Sequence, residues 1–448
     1  MSGRVGVIGS GVSGLVAARE LDRAGMEVTL YEADRRIGGH SHTVDVEADT
    51  GSWAIDTGFI VLNDHNYPGL ESMLAQLGVE TQPTSMSFSV SDGLGGFEWS
   101  TRLLGMVGHR HLFDPRYGRM LLDLIRFFRD SRELVGTNGS SGSLIDFCRA
   151  RGYSDYFVER LIVPQVSAVW SADPEQLDAF PASFLAEFFD NHRSLQVFGR
   201  PGWRSVVGGS RSYVDALVRE FGGVIRTGAP VRAVSRHPDR VEVDTDDGTE
   251  GFDDVVVAVH SDQALDMLAD PTPAERSVLG AIPYQRNEVV LHTDASVMPR
   301  RRRAWASWNF HLEPGGAGQE ASAPAISGDS SPTAAGGHTT VTYWMNTLQR
   351  LRADRDFLIT LNRTDAIDPA KVVRRLDYSH PVYTPETVAA QARWQEISGR
   401  DRVHYCGAYW GWGFHEDGVQ SALRACERLT PTRYLPAARP TQVERLAA

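Results

Sequence analysis

Three glycines near the start of the sequence have the spacing of a phosphate-binding turn. Gly9, Gly11 and Gly14 form a G-x-G-x-x-G between an apolar run and a helical pattern. The first glycine of such a turn permits a tight bend, the second lets the backbone approach a pyrophosphate, and the third allows close helix–strand packing. The helix N-terminus adds free N–H groups and a positive dipole end. We therefore predict that a dinucleotide binds this turn, through Gly9, Ser10, Gly11, Ser13 and Gly14.

An acidic residue closes the same unit. Glu32 stands 32 − 9 = 23 positions after Gly9, at the end of a second predicted strand over 28–31. A carboxylate at this place accepts hydrogen bonds from ribose hydroxyls and disfavours the 2′-phosphate of NADP. Turn and acid together predict a βαβ nucleotide-binding unit, and they leave NAD and FAD as alternatives.

The residues after Glu32 continue the unit as E-x-x-x-R-x-G-G-H, with Arg36, Gly38, Gly39 and His40 at the fixed positions. This pattern resembles the flavin-containing amine oxidase and phytoene desaturase superfamily, in which an arginine usually stands at the place of His40. The resemblance implies FAD. It also implies that the paired glycines pass beneath FAD and that Arg36 reaches its phosphates.

Two later segments match the same superfamily. A D-x-G segment that lines the flavin corresponds to 56–59, which predicts contacts from Thr57, Gly58 and Phe59, and Val231 would contact the adenine by its backbone. Near the end of the chain, a strand–loop–helix implies ribityl and pyrimidine contacts. The matching residues there are Gly407, Asp417, Gly418 and Val419. The positive end of that helix would stabilise reduced, anionic flavin. Cys406 is expected to pack, so the FAD would be non-covalent.

Within the superfamily, the sequence resembles a subgroup of predicted FAD-dependent proteins associated with cyclopropane fatty-acid synthase-like methyltransferases. The likeness rests on the strings LHTD, AWASWN, VTYWMN and CGAYWGWGFHEDG, at 291–294, 304–309, 341–346 and 406–418. The association implies a lipid acyl substrate and a methyltransferase partner.

The position of the lysines bears on the reaction. Flavin accepts a hydride at N5, and amine oxidases generally place a lysine near N5 through water. The corresponding position falls within 287–289, where no residue is lysine, and the only lysine of the sequence is Lys371. We therefore expect desaturation, saturation or isomerisation of an acyl chain. Amine oxidation, and a non-catalytic FAD-binding partner of a lipid-modifying enzyme, are the alternatives.

Three side chains are candidates for acid–base catalysis: His292, His415 and Glu288. Histidine titrates near neutral pH when unperturbed, although a structural role is the alternative for each. In the predicted strand 287–292, alternation places Glu288 and His292 on one face and Asn287 on the other. Six aromatic residues are candidates for an apolar substrate pocket, with core packing as the alternative: Tyr409, Trp410, Trp412, Phe414, Trp308 and Tyr343.

The order of these signals predicts an α/β protein with a discontinuous, amine-oxidase-like Rossmann-type FAD-binding domain and a mixed α+β substrate domain. The FAD-binding domain would comprise 1–80, 200–270 and 395–430, and the substrate domain 81–199 and 271–394. The Gly-, Ala- and Ser-rich stretch 313–338 is expected to be a flexible insertion. The tail 431–448 is expected to lie on the surface.

Composition narrows the class of protein. With 448 residues and 42% hydrophobic residues the chain can form two cores, and its net charge of −12 is not that of a nucleic-acid-binding protein. Three widely spaced cysteines predict neither a disulfide framework nor a metal site, which suits a cytoplasmic protein. No signal peptide or membrane-spanning run is expected. The arginines at 300–303 could make peripheral contact with anionic lipid headgroups at the inner face of the membrane, or form a solvated turn.

Overall fold

The computed structural model describes residues 3–49, 51–93, 96–102, 113–136, 142–170, 177, 180–192, 201–312 and 339–430. The predictions for 313–338 and 431–448 therefore lie outside the described residues. The strands are β1 (Arg4–Ile8), β2 (Glu27–Glu32), β3 (Thr43–Ala48), β4 (Gly51–Asp56), β5 (Leu62–Asn63), β6 (Thr81–Pro83), β7 (Phe88–Ser91), β8 (Glu98–Ser100), β9 (Trp203–Val206), β10 (Val224–Thr227), β11 (Val231–Arg236), β12 (Val241–Thr245), β13 (Gly248–Phe252), β14 (Asp254–Val257), β15 (Tyr284–His292), β16 (Trp308–His311), β17 (Val341–Trp344), β18 (Leu358–Leu361), β19 (Val372–Pro381) and β20 (Val403–Tyr405).

Fourteen α-helices are found in the described part of the chain, and five of them follow one another between β8 and β9. They are α1 (Val12–Arg23), α2 (Pro68–Gln76), α3 (Pro115–Asp130), α4 (Leu144–Ala150), α5 (Asp155–Phe157), α6 (Val163–Trp170), α7 (Ala182–Asn191), α8 (Arg211–Glu220), α9 (Ser261–Met267), α10 (Pro273–Leu279), α11 (Met345–Leu348), α12 (Pro385–Ala392), α13 (Trp394–Ile397) and α14 (His415–Cys426). A π-helical turn over Val158–Ile162 joins α5 to α6.

A five-stranded parallel sheet carries the nucleotide-binding unit. Its strand order is β10-β2-β1-β14-β20, and neighbouring strands are parallel throughout. Val255, Val256 and Val257 of β14 are fully buried, as a central strand covered on both faces requires. The strands come from three separated stretches of chain. The sheet confirms the predicted α/β, Rossmann-type class, with a mixed second half.

A seven-stranded sheet forms that second half, in the order β19-β15-β18-β17-β16-β7-β8. One face of the sheet packs against α3 to α7 in a large core, which contains Val289 and Leu291 of β15 and Tyr343 of β17. The other face carries Val290 of β15 into a smaller core with Trp305. The alternation predicted for this strand is therefore confirmed.

The two sheets meet where β15 begins and β19 ends. These strands pair antiparallel, with Gln285 opposite His380 and Asn287 opposite Tyr378. The Tyr284 hydroxyl accepts a hydrogen bond from the backbone N–H of Ser261, just after β14, at 3.0 Å. This contact brings one end of the seven-stranded sheet to the carboxyl end of the parallel sheet, where ligands of open α/β folds bind.

Candidate active site

The glycine turn between β1 and α1 is tight on both sides and open in the middle. A Cβ on Gly14 would lie 1.8 Å from the carbonyl oxygen of Gly9, and a Cβ on Gly9 would lie 2.8 Å from that of Ala258. A Cβ on Gly11 would meet nothing within 4 Å. Gly11 stands immediately before the first turn of α1. The turn therefore leaves room for a pyrophosphate at the one glycine where the backbone has to approach it.

Glu32 lies directly beside this turn. Its carboxylate accepts hydrogen bonds from the backbone N–H groups of Ser10 and Asp34, each at 2.9 Å, and from the Ser10 hydroxyl. The Glu32 carbonyl accepts a hydrogen bond from Ala229 N–H at 2.9 Å. This contact brings the start of β11, and so Val231, to the end of the site where the ribose and adenine are expected.

The G-G-H segment packs against the glycine turn. A Cβ on Gly39 would lie 3.1 Å from Gly11 Cα, and Gly38 N–H donates to the carbonyl of Ser10 at 3.1 Å. The Arg36 guanidinium donates to the carbonyls of Ile37, Gly39 and Ser41 at 3.2, 2.7 and 3.3 Å. Arg36 therefore fixes the shape of this loop through its carbonyls, while its contact with phosphate stays a prediction.

The D-x-G segment lies next to His40. The His40 carbonyl accepts a hydrogen bond from Phe59 N–H at 2.9 Å, and a Cβ on Gly58 would come within 2.3 Å of the same oxygen. The Thr57 hydroxyl lies 2.8 Å from the Tyr378 hydroxyl. Thr57, Gly58 and Phe59 thus join the G-G-H segment to β19.

The C-terminal motif completes the same region. A Cβ on Gly418 would lie 2.8 Å from Val12 Cγ1, so the start of α14 packs on the start of α1. Val419 is buried in the core beneath both helices, and Gly407 N–H donates to the Ser421 hydroxyl at 2.9 Å. The motif thereby brings a second helix N-terminus to the nucleotide site.

Asp417 holds the aromatic loop that precedes α14. Its carboxylate accepts hydrogen bonds from the backbone N–H groups of Trp412 and Phe414, at 3.1 and 2.9 Å. Burial raises the pKa of Asp417 to about 7, although these bonds oppose the shift. The predicted FAD contact of Asp417 stays a prediction, and the contacts within the protein give this residue a positioning role.

Three imidazoles from separate segments meet beside the paired glycines. The ring centroid of His40 lies 5.5 Å from that of His380 in β19 and 6.0 Å from that of His260 after β14. The Tyr378 ring lies 4.8 Å from His40. We call His40, His260 and His380 the imidazole cluster. The sequence reasoning did not select His260 or His380, because only strand pairing brings them to His40.

The imidazole cluster is electrically neutral at neutral pH. Burial, followed by the neighbouring His380, holds the pKa of His40 well below its ordinary value, and burial lowers that of His380 to about 4. The Asn287 amide lies 2.9 Å from His380 Nδ1. His40 Nε2 is buried and has no hydrogen-bond partner among the described residues. An unpartnered buried nitrogen beside the open glycine turn fits a bound flavin.

Of the three catalytic candidates, one lies in this region. The His415 ring stacks on Phe59 with centroids 3.8 Å apart, and its Nε2 lies 3.1 Å from the Ser41 hydroxyl. Burial lowers the pKa of His415 to about 3, so its imidazole is neutral. His415 is also one of the neighbouring groups that lower the pKa of His40, after burial, His380 and His260.

The other two candidates lie elsewhere. His292 is seven residues along β15 from the residue that faces His380, about 23 Å at the rise of a strand. It is fully buried and its Nε2 lies 2.7 Å from the Thr360 hydroxyl. Glu288 accepts a hydrogen bond from the Thr364 hydroxyl at 2.5 Å and lies 3.7 Å from Arg375 at the surface. Neither side chain is brought to the imidazole cluster.

The six aromatic candidates divide between two cores. Tyr409 and Trp410 are buried in the core around β14 and β20, on the nucleotide side. The other four belong to the large core or pack against it, namely Trp412, Phe414, Trp308 and Tyr343. The Phe414 ring stacks on Phe188 at 5.6 Å. The six side chains thus pack against two different cores, and a substrate pocket formed by them stays a prediction.

The remaining charged groups do not extend the site. Lys371 Nζ pairs with Asp294 at 2.9 Å, beyond the end of β15 that carries His292. Among the described residues, no group of three or more His, Cys, Asp or Glu side chains has the geometry to hold a metal ion. In the same part of the chain, no helix combines the length and the apolar character needed to cross a membrane.

A glycine turn open at Gly11, an acid directly beside it and a second helix N-terminus together fit a dinucleotide-binding protein of two-sheet architecture. The family model described as flavin containing amine oxidoreductase matches residues 12–430. The chain therefore belongs to that family.

Individual relatives are distant. A protein of Mycobacterium tuberculosis named as a flavin-containing monoamine oxidase is 27% identical over 292 residues, which are 59% of this chain and 58% of that protein. A hydroxysqualene dehydroxylase of Rhodopseudomonas palustris is 26% identical over 316 residues, 67% of this chain and 69% of that protein. The chain thus spans little more than half the length of the first relative.

Solved structures show the same fold. A CLA-producing fatty acid isomerase from P. acnes superposes with a TM-score of 0.67 at 14% identity, over 95% of this chain and 98% of that one. Cyclohexylamine oxidase from Brevibacterium oxydans superposes with a TM-score of 0.65 at 16% identity, over 96% and 100%. At these identities the likeness concerns the fold alone.

Proposed function

We propose that the protein moves hydrogen into or out of an apolar acyl chain, by desaturation, saturation or isomerisation. The observation that carries this proposal is Asn287, which bonds to the imidazole cluster from β15, in the stretch where an amine oxidase would supply its lysine. The only lysine of the chain is ion-paired with Asp294 instead. Behind the cluster lies a large apolar core to which Trp308 and Phe414 are joined.

Bound FAD and His40 would have different roles in the reaction. Bound FAD supplies a hydride acceptor or donor. In desaturation, FAD would supply the acceptor for a hydride from one carbon of the chain, and His40 Nε2 would take a proton from the neighbouring carbon. The two electrons of that second C–H bond would form the double bond. His40 is the candidate for this step because Nε2 is buried and has no other partner among the described residues. Burial lowers the pKa of His40, so the imidazole starts neutral but is a weak base. Isomerisation would return both hydrogens to the chain.

The names of two similar proteins support an apolar substrate, since one is a fatty acid isomerase and another a hydroxysqualene dehydroxylase. The predicted association with cyclopropane fatty-acid synthase-like methyltransferases suggests an acyl chain already methylated by such a partner. We also propose that FAD is held without a covalent bond, because Cys406 is fully buried in the core beneath α1.

Anaerobic flavin absorbance tests the reaction. The purified, FAD-loaded protein is mixed with methylated or unsaturated phospholipids, and with primary amines in parallel. We expect bleaching of the flavin band by a lipid and none by an amine; an isomerisation is detected instead by mass analysis of the lipid. Rapid bleaching by amines with every lipid inert would establish amine oxidation. If neither reacts until a methyltransferase partner is added, the non-catalytic alternative gains support.

A pair of variants tests the role of His40. His40→Asn should retain FAD but slow lipid-dependent bleaching by at least about a hundredfold, the usual scale of a lost acid–base group. His292→Asn should bleach at the rate of the unaltered protein, because its side chain lies on the opposite face and about 23 Å away. Equal rates for His40→Asn and the unaltered protein would contradict the proposed proton step.

A further inference from the structure

One helix presents large apolar side chains to solvent. Leu122 and Ile125 of α3 are 61% and 69% exposed, and Phe113 just before the helix is 92% exposed. Leu122 and Ile125 are three residues apart and so lie on the same side of the helix. We call Phe113, Leu122 and Ile125 the α3 face. Exposed apolar clusters of this kind mark contact with a partner or a membrane.

The opposite side of the same helix belongs to the large core. Tyr117, Met120 and Phe127 are almost fully buried there, and the core continues to Trp308 and Tyr343 of the seven-stranded sheet. The α3 face is therefore the outer surface of the layer whose inner surface adjoins the proposed acyl-chain site.

Arginines surround the α3 face. Arg116, Arg119 and Arg129 expose most of their side chains. Asp123 and Asp130, which pair with Arg119 and Arg129, are buried beneath the helix, and Asp114, which pairs with Arg116, is 21% exposed. The charge presented outward is therefore positive at this place, although the chain as a whole carries −12. Positive charge around an apolar patch complements the negative surface of an anionic bilayer.

We propose that the α3 face docks on an anionic phospholipid bilayer, from which the acyl substrate enters. The proposal rests on the proposed function for its substrate. The helix α3 has 16 residues, and arginines stand beside its apolar residues. It would therefore lie in the surface layer of the bilayer and would not cross the membrane. The arginine run at 300–303 is a less suitable surface, because no exposed large apolar residue of the described stretch 201–312 stands next to it in the sequence, whereas Leu122 and Ile125 stand among the arginines of α3.

Vesicle co-sedimentation of the FAD-loaded protein tests the docking. We expect binding to phosphatidylglycerol/phosphatidylcholine vesicles that weakens with salt, and little binding to pure phosphatidylcholine. Leu122→Glu/Ile125→Glu should lower the affinity for anionic vesicles at least tenfold. Val224→Glu/Val373→Glu is the matched control, because both valines are exposed on other parts of the molecule. This control should bind like the unaltered protein.

Two further measurements separate the outcomes. With detergent-dispersed substrate, the Leu122→Glu/Ile125→Glu protein should bleach at the normal rate, since α3 docking is then bypassed. Vesicle binding without any lipid-dependent bleaching would overturn the proposed function and leave docking intact.

Unchanged vesicle binding by the double variant would overturn docking. So would light scattering that shows a dimer lost in the double variant, since the α3 face would then be covered by a second copy.

Discussion

The two ends of the predicted FAD site differ in composition: backbone atoms form one end and side chains form the other. At the pyrophosphate end, Gly9, Gly11 and Gly14 leave space through the backbone, and a Cβ on Gly14 would overlap a carbonyl. At the end next to the apolar core, the site consists of side chains, chiefly His40 and His380 with Asn287 behind them. We therefore expect nucleotide binding to depend on the absence of side chains at the glycines. We expect the proposed chemistry to depend on which side chains stand at the other end.

The two ends therefore differ in how many replacements we expect them to admit. A glycine turn admits few, because the close approaches are between backbone atoms. Asn287 in β15 and His40 in the loop before β3 contribute to the other end through their side chains. The predictions below test the contrast between the two ends.

The largest effect is expected at Gly14. A methyl group there would lie 1.8 Å from the Gly9 carbonyl oxygen, so Gly14→Ala has to displace α1 from β1. We expect a loss of more than about 4 kcal/mol in the free energy of unfolding, measured by urea denaturation. Gly118→Ala in α3 is the control, because its Cβ would meet nothing within 4 Å; it should leave stability equal or slightly higher. Normal stability of Gly14→Ala would refute the packing described.

Gly11→Val should separate folding from FAD binding. The side chain would enter the open space at the turn without striking the protein, so the apoprotein should keep its stability within about 1 kcal/mol. FAD retention should be lost, since the valine occupies the approach of the pyrophosphate. Absorbance at the flavin band of the purified variant measures this. A yellow protein at normal stoichiometry would place the pyrophosphate elsewhere.

His292→Ala should affect stability and not the flavin. The histidine is hydrogen-bonded to Thr360 at 2.7 Å and accepts from Asp294 N–H at 3.1 Å, and both groups would lose a buried partner. We expect a loss of about 1–3 kcal/mol in the free energy of unfolding. The flavin spectrum and its pH dependence should not change. A shifted flavin spectrum would show that His292 lies near the flavin ring.

The smallest effect concerns pH. Burial holds the folded pKa of Asp417 at about 7, above its ordinary range. Its contribution to stability is therefore complete below about pH 4, the ordinary pKa of the unfolded group, and is lost as the pH rises through about 7. Asp417→Asn should flatten the fall in unfolding free energy between pH 5 and pH 8 in urea titrations. An unchanged slope would mean that other groups cause the fall.

Much of the nucleotide end could be predicted from local patterns. Gly9 to Glu32 are one continuous segment, and each glycine has a backbone reason for its place. The end of the site that is expected to hold the flavin ring, near His40 and His380, could be predicted only in part. His415 was found because it lies within a motif, whereas His260 and His380 lie in segments with no motif of their own. The error with His292 has the same origin, since the strand was found but its distance from the FAD site was not.

The sequence by itself determined the α/β class, the FAD family and the residues of the glycine turn, because these depend on short segments whose backbone geometry permits few residues. Only the tertiary structure decided which histidines meet. The pairing of β15 with β19 brings His380 and Asn287 to His40, and it sends His292 into a separate hydrogen-bonded row. The aromatic loop was divided in the same way, because Trp410 and Phe414 face different cores although four residues separate them.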